Sequence, residues 1–394
     1  MTVKNIVLVQ AFLTAFTIHL LLFSYSPMVQ LVVEEMGVSH AGAGFIFSVC
    51  ILTIMLLRIP WGFVIDRFGF MTTAKVAMVL VGVFSFLRGF STGYHDLLIF
   101  QLFLGAGVAA LLPCLAKIVN VMFREKVGLA TGVYVSGFPI GDLAGLGLTS
   151  HLLSTFNNDW RAVFKMFGLW ALALTLLWWL VDRLLPEERR NQSQPMLEFK
   201  KLLRSKQMWL LTGLCICSMG CYDTLLTFLP CLLEIRGMGA VEAGVTSSML
   251  PVGFLISGLS VGAVSDKAGS RKPFIWILGL AAIPSTLLIS YTSGELLWTT
   301  MLAAGFTLSG ILTLILIVAA EHPEIQGFVG GAVALISSIG NVGSFLFPIL
   351  VGLILDITGS PAPPLLALAV IAGATLMLNT AVEETGKAKV KNDG

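Results

Sequence analysis

Charge is scarce in this chain. Of its 394 residues, 12% are Asp, Glu, Lys or Arg, against 56% hydrophobic. Soluble domains carry roughly 25% charged residues. So few charges cannot coat a surface that faces water, so the chain must be solvated by lipid. The formal net charge of +2 gives no basic or acidic field, which excludes a nucleic-acid partner. No G-x-x-x-x-G-K-[ST] stretch occurs, which argues against ATP hydrolysis by this chain. His19, His40, His95, His151 and His322 fall on separate segments, and no Ser/His/Asp or metal set converges. The chain is therefore read as no enzyme, with no cofactor and no metal. The six cysteines all lie in apolar stretches. Cys215, Cys217 and Cys221 match no zinc spacing and are read as small apolar filler.

What is present is a series of long apolar runs. A spanning helix needs about 20 mostly apolar residues. That rule predicts twelve spans, near 5–32, 41–64, 72–92, 97–121, 128–152 and 162–182, then 208–233, 242–264, 274–292, 296–320, 328–353 and 362–382. The runs are too long, and alternate too little, for barrel strands. The first run is too long for the core of a removable signal and is read as a span.

Basic residues set the orientation. The loops on one side carry Arg67, Lys75, Arg124, Lys126, Arg183, Arg189, Arg190, Lys200, Lys201, Arg204, Lys206, Lys267, Arg271 and Lys272, and both tails add lysines there. The other side has Arg88, Arg161, Lys165 and Arg236, near helix ends. The positive-inside rule makes the crowded side cytoplasmic and predicts both termini inside, in the inner (cytoplasmic) membrane. The longest polar stretch, 186–206, is read as a linker between a half at 1–185 and a half at 207–394. Its Met196–Leu203 piece has an amphipathic rhythm that predicts a helix on the membrane surface.

The halves repeat. Gly62-Phe-Val-Ile-Asp66-Arg67-Phe-Gly69 recurs 200 residues later as Gly262-Ala-Val-Ser-Asp266-Lys267-Ala-Gly269. Each copy closes the second span of its half. Duplicated six-span units build many secondary transporters. This G-x-x-x-D-[RK]-x-G loop resembles the signature loop of the major facilitator superfamily. Trp160-Arg161 before the sixth span resembles the superfamily's W-R, and Phe123-Arg124-Glu-Lys126-Val-Gly128 resembles its entry to the fifth. The resemblance implies an all-α membrane protein of twelve transmembrane helices in two pseudo-symmetric six-helix bundles, working as a monomer on a small-molecule solute. It also implies that Asp66, Arg67, Asp266 and Lys267, with Gly62, Gly69, Gly262 and Gly269, act as conformational latches. Topological anchoring by charge alone is the plainer alternative.

Polar residues inside the spans mark candidate sites, because an ionisable group there is costly and usually faces a cavity. Arg58 lies eight residues before Asp66, about 12 Å at the helical rise. Lys117 sits at similar depth before Arg124. A guanidinium can clamp a planar anion with two parallel hydrogen bonds. Two such cations therefore point to an anion site, or else to internal ion pairs with Asp142. The Leu-Leu-Arg58-Ile-Pro-Trp stretch resembles the second span of nitrate/nitrite porters, although Gly258 stands where their second arginine would be. Leu112-Pro113-Cys-Leu-Ala-Lys117 and Phe228-Leu-Pro230 resemble the cyanate and nitroimidazole porters. Tyr25, Tyr134, Tyr222 and Asn341 are expected to hydrogen-bond the solute. Asp142, Asp223 and His19 are expected to carry the coupling proton, with structural hydrogen bonding as the alternative for each. Gly137, Gly141 and Gly145, spaced by four, are read as a helix-packing stripe. Two functions remain open: a secondary porter for a small anion driven by a proton or solute gradient, and a proton-coupled efflux pump for amphipathic compounds. Efflux is disfavoured because Gly137-Phe-Pro139-Ile-Gly141 lacks that group's Gly-Pro and Gly-Gly pairs.

Overall fold

The computed structural model describes residues 3–123, 126–183, 202–325 and 329–386. Among these residues every regular element is helical. In order they are α1 (Val3–Phe23), a 3₁₀ turn (Ser26–Met28), α2 (Val29–Met36), α3 (His40–Phe68), α4 (Phe70–Arg88), α5 (Tyr94–Met122), α6 (Val127–Val135), α7 (Gly137–Thr155) and α8 (Trp160–Arg183). Then come α9 (Lys206–Ile235), α10 (Ala240–Ser247), α11 (Met249–Ala268), α12 (Lys272–Leu288), α13 (Gly294–Glu321), α14 (Val329–Thr358) and α15 (Ala362–Ala381). Taken as spans, eleven are long and apolar enough to cross a membrane, and the twelfth, α12, is an apolar helix of 17 residues. A helix satisfies its own backbone, the condition that lipid imposes on any spanning segment.

The predicted spans and the helices coincide, and most helices run further than the apolar run that marked them. α3, for example, extends from 41–64 to His40–Phe68. Polar residues complete the end turns: Ser39 Oγ accepts the Gly42 N–H at 3.0 Å, and Ser205 Oγ accepts the Met208 N–H at 3.3 Å. Three spans are interrupted: the fifth at Ser136, the eighth between Ser247 and Met249, and the first over the longest stretch. The first breaks between Phe23 and Val29, where Pro27 lacks the N–H that would bond Phe23 O.

The chain forms two compact units. One comprises Met1–Gln194 with Ala240–Val245, the other Pro195–Gly239 with Thr246–Gly394. The expected linker at 186–206 and its surface helix lie almost wholly outside the described residues, as does Arg124. In the second unit, buried Leu211, Leu214, Ile275, Ile311, Leu314 and Ile336 form the core. None of the six cysteines forms a disulfide, and five of them are buried.

Both signature loops turn on their last glycine. Gly69 has φ 84° and Gly269 has φ 66°, backbone that residues with a Cβ rarely adopt. The first glycine of each motif is different. At Gly62 the space for a Cβ is open, and at Gly262 a Cβ would make an ordinary 3.4 Å contact with Ile317. No close helix approach is made at either of these first glycines.

Candidate functional site

In the first unit, the close approach is made by α7 against α1. A Cβ on Gly137 would stand 2.7 Å from Phe12 O, one on Gly141 2.4 Å from Phe16 O, and one on Gly145 3.0 Å from the Phe23 carbonyl carbon. The glycine stripe thus lets the backbones of α1 and α7 touch, and it brings Asp142 to His19. His19 Nδ1 and Asp142 Oδ1 stand 2.6 Å apart. Asp142 is fully buried, while His19 keeps 23% of its side chain exposed. The imidazole packs against Phe138 and Phe23, with ring centroids 4.6 and 5.7 Å away. A neutral imidazole beside an ionised carboxylate carries one net negative charge. One added proton makes the pair neutral, whichever atom holds it.

The second unit repeats the arrangement with the acid on the other helix. Here α14 packs on α9 through small residues. A Cβ on Gly343 would meet Ile216 O at 2.1 Å, and one on Gly220 would meet Gly343 Cα at 2.7 Å. Across this contact Ser344 Oγ donates to Asp223 Oδ2 at 2.6 Å. Asn341, one turn before Ser344, is buried. Tyr222 is also buried and makes an edge contact with Phe254 of α11. Thus span one meets span five through His19 and Asp142, and span seven meets span eleven through Asp223 and Ser344.

The other predicted residues take different positions. Tyr25 is fully buried and donates its hydroxyl to Ala43 O at 2.9 Å, which ties the broken span to α3. Tyr134 packs edge-on against Phe138, whose ring lies tilted against His19. Arg58 is half-buried on α3, two residues before Pro60. Lys117 reaches the signature loop instead: its ammonium donates to Asp66 Oδ1 at 2.9 Å. Arg67 is exposed and lies over its neighbour Phe68, and Lys267 is exposed.

The two loop copies are held differently. In the first, Asp66 pairs with Lys117 of α5. In the second, Arg271, just before α12, bonds both Asp266 and Glu321 of α13, the latter at 2.7 Å. The hydrogen bonds that Arg271 donates to Glu321, and then to Asp266, hold its guanidinium above its ordinary range. The acid and base near the C-terminal ends of the fourth and tenth spans are therefore exchanged, and each loop still finds an opposite charge. Glu384 adds a second anchor by accepting the backbone N–H groups of Arg271 (2.7 Å) and Lys272 (2.9 Å) at the start of α12.

At the far end of the first unit the W-R pair has a clear role. Trp160 Nε1 donates to Glu35 Oε2 at 2.6 Å and Arg161 Nη1 to Glu35 Oε1 at 2.5 Å, while Arg161 Nε donates to Ser91 O at 2.8 Å. This clamp fixes the end of α2. Sequence reading had the W-R motif but gave no partner, since nothing marks Glu35 as its acceptor. It placed Arg88 at a helix end, where α4 does stop, but did not foresee that the side chain is fully buried.

A helical membrane chain with a duplicated loop, a repeated glycine-packed helix pair in each half and a buried ionisable pair has the build of a secondary transporter. Residues 11–341 match the sequence model of the Major Facilitator Superfamily, and the chain belongs to that family of multi-pass membrane transporters. It is 26% identical over 368 residues to the probable galactarate/D-glucarate transporter GarP of Escherichia coli (strain K12), covering 82% of this chain and 81% of that one. It is 22% identical over 359 residues to the nitrite extrusion protein of Bacillus subtilis (strain 168), covering 90% and 88%. The match to the uncharacterized transporter YybO of the same organism, 26% identical, covers 56% of this chain, which spans 55% of that relative. Among solved structures, the fold is similar to a mutant of the nucleoside transporter NupG (TM-score 0.79, 13% identity, 97% of this chain and 100% of that one). It is also similar to a bacterial homolog of the human lysosomal transporter Spinster (TM-score 0.74, 18% identity, 97% and 94%).

Proposed function

We propose that this protein is a secondary active transporter that moves a small organic or inorganic anion across the cytoplasmic membrane by alternating access, coupled to protons. In this reading both termini are cytoplasmic and the working unit is a monomer. The observation that carries the coupling is the His19–Asp142 pair: a buried carboxylate on a partly exposed imidazole, 2.6 Å apart. Asp223, bonded to Ser344, is the second proton-carrying candidate.

Arg58 supplies the cation for the solute, with Tyr134, Tyr222 and Asn341 as hydrogen-bonding groups. Lys117, already engaged by Asp66, belongs with the latch. Relatives named for galactarate/D-glucarate and for nitrite, all anions, support the substrate class. Coupling also makes physical sense. An anion entering a negative-inside cell is opposed by about 2.3 kcal/mol per charge per 100 mV. One proton moving with each charge removes that opposition.

The test is uptake into proteoliposomes, with and without an inward proton gradient, from a panel of nitrate, nitrite, cyanate, galactarate, D-glucarate and short carboxylates. One anion taken up faster with the gradient, and lost in Arg58→Gln, is the expected result. Gradient-independent uptake that survives Asp142→Asn would overturn the coupling. Transport of neutral or cationic compounds alone would overturn the anion assignment.

A further inference from the structure

Arg88 is the one large charged side chain fully buried in the first unit's interior among the described residues, and no carboxylate touches it there. Its Nη1 donates to Leu21 O at 3.0 Å, its Nη2 to Ser85 Oγ at 3.0 Å, and Gln101 Oε1 lies 3.5 Å from Nη1. Its guanidinium carbon stands 4.2 Å from the centre of the Phe164 ring. Its Nε has no acceptor. A charge sealed inside a bundle with one donor unmet is poor filler, and an apolar side chain would pack there at lower cost. The charge therefore has another purpose, and Leu21 O identifies it.

Leu21 belongs to the last turn of α1, which stops within the first span because Pro27 cannot continue the ladder. Carbonyls at a helix end have no partner within the helix, and inside lipid each needs a donor. Leu21 O receives two: Arg88 Nη1, and Ser24 Oγ at 3.1 Å. The helix end also carries a partial negative charge that a cation stabilises. His19 lies two residues before Leu21, on the same final stretch of α1, and faces Asp142.

The second unit makes the same joint with the donor reversed. Arg236, at the end of α9, donates to Ile289 O (2.5 Å) and Thr292 O (2.6 Å), just past the end of α12. In one half an arginine on the third span holds the first. In the other an arginine leaving the first span of that half holds the third. The joint recurs although its residues do not.

We propose that Arg88 is a positioning residue for the proton-carrying pair: it fixes where α1 ends, and so where His19 stands against Asp142. The inference rests on the reading of that pair as the coupling site. Its test is nuclear magnetic resonance of the purified full chain with labelled histidine rings. There are five histidines, so the His19 signal is assigned as the one lost in His19→Gln. In the wild type, a Nδ1–H bonded to a carboxylate gives a characteristic ring shift, and Asp142→Asn moves it. Arg88→Met should move the His19 signal toward its position in Asp142→Asn, Arg88→Lys should return it toward wild type, and Ser24→Ala should move it partway. A His19 signal unchanged in both Arg88→Met and Ser24→Ala overturns the inference. If Arg88→Met does not fold, Ser24→Ala and Arg88→Lys decide the matter alone. Gradient-driven uptake by Asp142→Asn is measured beside them. Uptake that persists there defeats the coupling reading, while the ring shifts still report whether Arg88 sets the geometry.

Discussion

Gly141→Ala is the smallest change that should separate His19 from Asp142. The added Cβ would stand 2.4 Å from Phe16 O and 2.9 Å from His19 Cβ. Carbon–oxygen contacts rest near about 3.4 Å, so roughly 1 Å must be found. Phe16 O is backbone and cannot swing aside. If α1 and α7 part by that amount, His19 Nδ1 and Asp142 Oδ1 move from 2.6 Å to beyond hydrogen-bonding reach. A hydrogen bond to a charged group is worth about 1.5–3 kcal/mol. If the helices hold instead, the crowding costs about 1–3 kcal/mol. Either route destabilises by roughly 2 kcal/mol. The assay pairs thermal unfolding in detergent with gradient-driven uptake in vesicles. Gly132→Ala is the control, because a Cβ there meets nothing within 4 Å. Gly141→Ala should lower the unfolding midpoint and the gradient response while Gly132→Ala changes neither. A Gly141→Ala protein matching wild type in both would refute the packing argument, because the contact would then be looser than its distances state.

Three further outcomes follow from the loops. Lys117→Gln should change stability by under ~1 kcal/mol, as expected of a partly exposed pair, and should leave the KM for solute unchanged; a tenfold rise in KM would return Lys117 to the solute site. Gly69→Ala should destabilise by about 1–3 kcal/mol because of its positive φ, while Gly62→Ala, with open space for its Cβ, should be silent; equal effects would contradict this division. Arg271→Gln should lower the unfolding midpoint equally at pH 7 and pH 9. Glu321 and Asp266 hold the guanidinium above its ordinary range, so its contribution is complete below that range and is lost only as pH rises past it; an effect that fades between pH 7 and 9 would refute this.

The spans and the duplicated loop could be read directly because lipid leaves few choices. A backbone without water must be helical, and long apolar runs show where. The motif's last glycines, Gly69 and Gly269, mark the loop turns by their positive φ. The contacts could not be read in this way. In a water-soluble helix the apolar stripe marks the inner face, but here both the lipid face and the protein face are apolar, so period alone does not point Asp142 at His19. Those two residues are 123 apart, and Lys117 and Asp66 are 51 apart. The glycine stripe on α7 was read correctly as a packing surface, yet nothing in it named α1 as the partner. Arg88 was read as a helix-end residue, and α4 does end there, but nothing in the sequence showed that its side chain turns inward. Its acceptor, Leu21 O, lies just before the break at Ser26-Pro27, inside a run that was read as continuous.

The repeat makes a last prediction possible. Asp142 sits on the fifth span and meets the first, whereas Asp223 sits on the seventh and meets the eleventh, so the acid has changed sides between the halves. If Asp223 serves only to bind Ser344, the bond should be indifferent to which helix carries the acid. Ser344→Ala removes one donor from a buried carboxylate and should cost about 1–3 kcal/mol. Asp223→Ser leaves two hydroxyls and should cost a similar amount. The exchange, Asp223→Ser with Ser344→Asp, rebuilds one carboxylate and one hydroxyl across the same gap. It should recover stability to within ~1 kcal/mol of wild type, a coupling that a double-mutant cycle measures directly. Gradient-driven uptake should recover with it, because the proton is assigned to His19 and Asp142. A stable exchange protein without gradient-driven uptake would place the proton on Asp223 itself, at a position that a neighbouring helix cannot replace.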